Sequence, residues 1–275
     1  MKGEKLAKDY NADNETALYW TDGKVVYFCG EKIKNADIDS FEQFPGCWAK
    51  DKNFCYSGST KLKDADCLTF EVLNYTYAKD KSNVWTLVGR IPEAEAKTFE
   101  VCDDGRKSLG IKFVLLENNK REILESFVPY GFGKDAVNVF YYDFQGKTKI
   151  VKRAISSSFQ SLNDGYFGYD EKSVFCGKNT LPKANPKTWK KLEDKYFYSK
   201  DQNRVYYFNR LIKDADAESF EVVIVSSVFE TPTQYAKDKN FFYFNDSIVS
   251  KEEFEKHIAD HIDRNEKIKM ELGKK

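Results

Sequence analysis

Histidine is nearly absent, two residues in 275, and methionine (two), proline (six) and tryptophan (four) are sparse. Imidazole is the side chain whose charge changes near neutral pH, and only two are present, while carboxylates are too plentiful for a catalytic pair to be picked out. Net charge is absent as well. Forty-four Lys and Arg balance forty-four Asp and Glu, which excludes the basic footprint of a nucleic-acid binder and any electrostatic pull toward an anionic bilayer. No apolar run approaches the roughly 18 to 20 residues of a membrane-crossing helix. The opening residues Met1–Lys5 lead into polar sequence without the apolar segment of a secretion signal, so the chain as it stands is expected in the cytoplasm. No G-x-S-x-G, G-x-G-x-x-G, P-loop or C-x-x-C pattern occurs, and with them go the common hydrolase, dinucleotide, nucleotide and thiol-pair signatures. What is abundant is aromatic: 22 Phe and 17 Tyr in a chain that is 41% hydrophobic, a composition that favours strands and can bury a core.

The aromatics recur with a period. A hydroxyl residue followed by a ring appears at Ser40-Phe41, Thr69-Phe70, Thr98-Phe99, Ser126-Phe127, Ser158-Phe159, Thr188-Trp189 and Ser219-Phe220, with a last variant at Glu253-Phe254. Successive rings lie 29, 29, 28, 32, 30, 31 and 34 residues apart, the mark of tandem repeats. Ahead of the ring stands Ala-Asp, as in Ala36-Asp37, Ala65-Asp66 and Ala215-Asp216, or Ala184-Asn185-Pro186. Asp or Asn caps a helix start and Pro suits its first position. The Ala and the ring then occupy the two staple positions of one short helical turn. A second motif, Ala49-Lys50-Asp51-Lys52-Asn53, returns as Ala78-Lys79-Asp80-Lys81 and Ala236-Lys237-Asp238-Lys239-Asn240, with looser copies at Asp22, Asp135, Asp170 and Asp201. Asp and Asn form turns, and Val-, Tyr- and Phe-rich runs flank them, so strand, turn, strand is the reading.

These two motifs in fixed order resemble the bacterial DKNYY repeat family. The match is close at 75–101 and 235–244, good at 47–73 and 196–223, weak at 103–129, and extends from Asp22 to Phe254. The resemblance implies little about activity. It is compatible with an envelope or secreted location as well as the cytoplasm.

The expected fold is mainly β with short helical turns: tandem β-hairpin repeats of about 30 residues stacked as an open array. A closed, propeller-like ring is the alternative. Residues 1–249 read as one repeat domain of about eight units, the one near 103–129 degenerate. Residues 250–275 read as a terminal helix and tail, opened by the capping box Ser250-Lys251-Glu252-Glu253 and carrying Phe254, Ile258, Ile262 and Ile268. Such a helix would cover the last exposed face of the array.

Candidate chemistry is sparse. His257 and His261 stand one turn apart on that helix, with Asp260 or Glu253 as further possible zinc ligands, but a catalytic zinc helix places its base between the histidines, as in His-Glu-x-x-His. Two exposed histidines on a charged helix is the reading adopted. The six cysteines (29, 47, 55, 67, 102 and 176) are scattered; they read as small buried apolar residues, and their even number permits disulfides. The recurring turn aspartates 51, 80, 135, 201 and 238 offer about one carboxylate per turn, too few for calcium, which takes six to eight oxygens. Trp85, Tyr142, Tyr207 and Tyr243, interleaved with lysines, are the candidate ligand-surface aromatics, with core packing as the competing reading. No catalytic residue, metal or cofactor is assigned. The expectation is a non-enzymatic repeat scaffold that binds an unidentified protein or glycan, with a glycan or cell-wall module as the alternative and an enzyme third.

Overall fold

A computed structural model describes residues 1, 3–6, 18–115, 121–192, 197–225 and 234–273. The chain divides into two compact units, Met1–Phe167 and Gly168–Lys275. Both are built from small antiparallel sheets of short strands. In the first unit a three-stranded sheet (Tyr19–Thr21, Val26–Phe28, Glu31–Ile33) is followed by a five-stranded one. The latter joins Glu42–Phe44, Trp48–Lys50, Cys55–Ser57 and Thr60–Lys61 to an N-terminal strand, Glu4–Lys5. Two four-stranded sheets come next, Glu71–Val72 to Gly89–Arg90 and Glu100–Val101 to Lys149–Ile150. The second unit carries the hairpin Val174–Cys176 and Asn179–Thr180, then two four-stranded sheets, Lys190–Lys191 to Arg210–Ile212 and Glu221–Val222 to Ser247–Val249. It ends in one helix, Lys251–Gly273. The hairpin repeats are open and stacked, as expected, and no described sheet closes into a barrel.

The stacking follows from strand periodicity. Neighbouring side chains on a strand point to opposite faces, and here both faces are apolar. From Trp48–Lys50, Trp48 enters a core with Phe70, Val72, Ala78 and Trp85 of the third sheet, while Ala49 enters one with Tyr19, Val26 and Ile33 of the first. Four of the ring anchors sit between a ring of the sheet before and a ring of the sheet after. Phe41 lies 5.4 Å from Tyr19 and 5.5 Å from Tyr56; Phe70 lies 6.3 Å from Trp48 and 6.0 Å from Trp85. Phe99 lies 5.3 Å from Tyr77 and 5.9 Å from Phe140. In the second unit Phe220 repeats this between Tyr198 at 5.5 Å and Tyr243 at 5.2 Å. The staple alanines 36, 65, 94 and 215 pack beside their rings. A unit alone could not cover these rings; its neighbour does.

Polar residues of the motifs lock each turn to its hairpin. Asp51 Oδ1 accepts from the backbone N–H of Asn53 and Phe54, both at 2.7 Å, closing its own turn. Its Oδ2 accepts from the N–H of the cap residue Asp37 at 2.8 Å and from the Tyr56 hydroxyl at 2.7 Å. The following Lys52 pairs with the Asp37 carboxylate at 2.6 Å, and its own N–H donates to Ser40 Oγ at 3.0 Å. Asp80, Lys81, Asp66 and Thr69 repeat the arrangement, as do Asp238, Lys239, Asp216 and Ser219. The tyrosine that opens the motif reaches forward: Tyr19 donates to the Cys47 and Gly58 carbonyls, Tyr198 to those of Gln234 and Asn245. The aspartate is thus a turn former and latch, the lysine its ion-pair arm, and the tyrosine a link between sheets.

Two elements depart from the repeat. Among the described residues of 103–129 there is no capped turn. They form a two-stranded ribbon, Arg106–Leu115 paired with Arg121–Pro129, and Phe127 belongs to it. The latch spans 14 residues between Asp37 and Asp51 but 40 between Glu95 and Asp135, so the ribbon is an insertion over which the same latch still closes. In the last unit the single turn becomes the helix Lys251–Gly273. Ser250 and Glu253 cap it reciprocally, at 2.9 and 3.1 Å, and Phe254 packs on Phe242 at 4.9 Å.

Candidate functional site at the base of the ribbon

The four aromatics proposed as a ligand surface are core. Trp85 is 1% exposed, Tyr142 1%, Tyr207 6% and Tyr243 0%. Their interleaving with lysines suggested an exposed surface, but a neighbouring sheet covers each of them, the preceding one for Trp85, Tyr142 and Tyr243 and the following one for Tyr207, so none can stack on a ligand. The helix histidines serve packing: His257 stacks on Phe244 at 4.7 Å, His261 meets Tyr235 edge-on at 5.9 Å, and Glu253 is held by Ser250. Among the described residues no group of three His, Cys, Asp or Glu is arranged to hold a metal ion. Cys55 and Cys67 form a disulfide, with Cα atoms 5.7 Å apart, tying a strand to the capped turn that follows it.

With the motif residues committed to the scaffold, the ribbon is the element left over, and its root is elaborately held. Asn74 Nδ2 donates to the Asp103 carbonyl at 2.9 Å, Thr76 Oγ1 to the Gly105 carbonyl, and the Tyr75 N–H to the Asp104 carbonyl at 3.3 Å. From the other side Asn163 accepts from the Asp104 N–H at 2.8 Å and donates to its carboxylate at 3.2 Å. The Tyr130 N–H donates to the Gly105 carbonyl at 2.9 Å and closes the base. Gly105 and Gly131 both have positive φ, +69° and +146°, and a Cβ at either would lie within 2.5 Å of Asn74 or 2.2 Å of Asp103. No other residue fits this close approach.

Charge at the root is confined. The Asp103 carboxylate accepts from the Phe132 N–H at 2.9 Å and from Ser161 Oγ and the Gly105 N–H at 3.0 Å. Burial nevertheless raises its pKa to about 6, against the pull of those three donors and with a further push from Asp104. Lys107, on the first ribbon strand, lies 4.4 Å over the Tyr166 ring and 5.0 Å from Tyr130, and burial lowers its pKa. Those two rings are 5.4 Å apart, and Tyr130 meets Tyr141 edge-on at 5.8 Å. Arg106 covers the Phe127 ring at 4.3 Å. The arrangement anchors the root of the ribbon from two sides and places there a carboxyl whose pKa is raised to about 6. Sequence reasoning passed over Asp103, Lys107, Tyr130 and Tyr166; the signal for them is the interruption of both motifs across 103–129.

The pattern of the DKNYY family matches residues 48–210 and again 198–273. The chain belongs to the DKNYY family. The match covers most of the sequence. No curated protein and no solved structure matches the chain. No described helix is long and apolar enough to cross a membrane.

Proposed function

We propose that this DKNYY-family chain is a non-enzymatic repeat scaffold that binds another macromolecule, and that the ribbon Arg106–Pro129 presents the contact surface. One observation carries this. The latch between Glu95 and Asp135 closes across the ribbon, so the array does not need the ribbon to complete its repeat, yet its root is fixed by hydrogen bonds from two sides. An element that the repeat does without, and whose root is nonetheless held from two sides, is suited to recognition. The glycan-binding alternative drew on the aromatic hairpin repeats, among whose rings Trp85, Tyr142, Tyr207 and Tyr243 are buried.

The adjacency of Gly105 and Tyr130 supplies the test. Residues 106–129 can be replaced by a two-residue hairpin turn without moving the base. Quantitative affinity capture from the native organism is run with the intact chain and the ribbonless variant, matched by circular dichroism. A partner enriched by the intact chain and lost from the variant supports the reading. Equal capture by both, or no specific partner for either, overturns it.

A further inference from the structure

The N-terminal strand shows what the sheet edges of this fold can hold. Glu4–Lys5 adds antiparallel to the first strand of the second sheet, with Glu4 opposite Gln43 and Lys5 opposite Glu42. Gly3 lies close against the Glu42 carboxylate and the Phe44 ring, the Gln43 side chain donates to the Lys5 carbonyl at 3.2 Å, and Leu6 reaches the core beside Phe41. In the third sheet the position equivalent to Gln43 is Val72, and its carbonyl accepts from the Met1 nitrogen at 2.8 Å. The edge strand of these sheets therefore takes an external donor at the same register in two successive copies.

The last sheet repeats that edge strand. Glu221–Val222 corresponds to Glu42-Gln43 and pairs inward only, Glu221 with Lys237 and Val222 with Ala236. Among the described residues no strand lies on its other side. Val223 donates inward to Tyr235 at 2.9 Å, so by antiparallel alternation the N–H and C=O of Val222 face outward. Glu221 is held by Lys237 at 2.9 Å, as Glu42 is by Lys50 at 3.9 Å while still facing Lys5. Beyond Val222 the edge runs into an apolar groove of about 370 Å³ lined by Val223, Ile224, Val225, Ile258 and Ile262. Ile224 is 62% exposed and Ile262 48%.

We propose that Glu221–Val225 and the facing side of the C-terminal helix form an acceptor site for an extended, lysine-bearing peptide strand added antiparallel. The chain's own N-terminal strand is the template for its occupant. Its register sets the lysine opposite Glu221, the preceding residue opposite Val222, and the residue four before the lysine beside Val225 at the groove. Main-chain bonds supply affinity and the glutamate and groove supply selectivity, the logic of strand addition. This site is separate from the ribbon and does not depend on the ribbon reading.

The test uses the intact chain and a labelled synthetic peptide of residues 1–8, Met-Lys-Gly-Glu-Lys-Leu-Ala-Lys, followed by fluorescence anisotropy. Saturable one-to-one binding is expected, weakened at least tenfold by Glu221→Lys, at least threefold by Ile262→Asp, and not at all by Glu42→Lys. A peptide methylated on the backbone nitrogen of its glutamate, which would donate to Val222, should bind at least tenfold more weakly; this arm needs no protein variant. The proposal is overturned if the methylated peptide binds equally, which would leave charge alone. It is also overturned if Glu42→Lys abolishes binding while Glu221→Lys does not, or if no binding appears at millimolar peptide. The ribbonless variant should bind the peptide like the intact chain, so failure here and failure of the ribbon reading are distinguishable.

Discussion

Replacing Asp51 with alanine tests the latch most directly. Its carboxylate, in a residue 3% exposed, accepts four hydrogen bonds between 2.7 and 2.8 Å. Bonds to a charged acceptor contribute about 1.5 to 3 kcal/mol each, and an orphaned buried donor costs about 1 to 3. The four share one acceptor group and do not add, and the Asn53 amide lies in an exposed residue where water can replace the carboxylate. The Tyr56 hydroxyl, in a residue with no exposure, and the Asp37 amide have less access to water. Asp51→Ala should therefore cost about 3 to 5 kcal/mol, against about 1 to 2 for Tyr56→Phe, which removes a single bond. Lys52→Ala breaks only an ion pair whose lysine is 62% exposed, and should be close to neutral. Urea unfolding followed by Trp fluorescence gives the ordering. Repeat arrays can unfold in parts, so amide exchange supplies the local reading: Asp51→Ala should strip protection from the Asp37 amide, and Tyr56→Phe should not. If Asp51→Ala costs no more than Lys52→Ala, or the Asp37 amide keeps its protection, the latch does not hold the turn.

Three further outcomes follow from the same geometry. Phe70→Ala empties a site between Trp48 and Trp85 and should cost about 3 to 5 kcal/mol; an unchanged near-ultraviolet dichroism spectrum would contradict the sandwich. Asp103, with its pKa raised to about 6, binds its proton more tightly folded than unfolded. Its contribution is full below about pH 4 and is lost as pH rises through 6. Asp37, lowered to about 2 by Lys52 and Ser40, has the opposite sign, and its contribution disappears only as pH falls from about 4 through 2. Urea midpoints between pH 4 and 6 should thus fall more steeply for the natural chain than for Asp103→Asn, and equal slopes would count against a buried, titrating Asp103. Reduction should cost about 3 kcal/mol through the Cys55–Cys67 bond, which spans 12 residues, and midpoints identical with and without reductant would show that the bond contributes nothing.

Much of the fold was legible because its instructions are local. Asp66 and Asn185 do cap their turns, Ala65 and Phe70 do share one core, and Ser250 with Glu253 does box the helix start. The ribbon was hidden by arithmetic. Phe99 and Phe159 are 60 residues apart, two repeat steps, so an insertion nearly one repeat long kept the rings in phase and let Ser126-Phe127 pass for an anchor. The ligand-surface aromatics were misplaced for another reason. A residue's side of a strand can be read from alternation, but whether that side meets water depends on the neighbouring sheets.

From its sequence alone this protein is a periodic β-hairpin array with capped turns and a helical end, since turn propensity, capping and strand alternation act over a few residues. Tertiary structure alone decided which polar groups are consumed by the scaffold, that Asp51 reaches back to Asp37 and Tyr19 forward to Gly58, and which edges stay open. Those outcomes depend on hydrogen bonds and burial between segments separated by 14 to 40 residues, and no local preference encodes where such partners will meet.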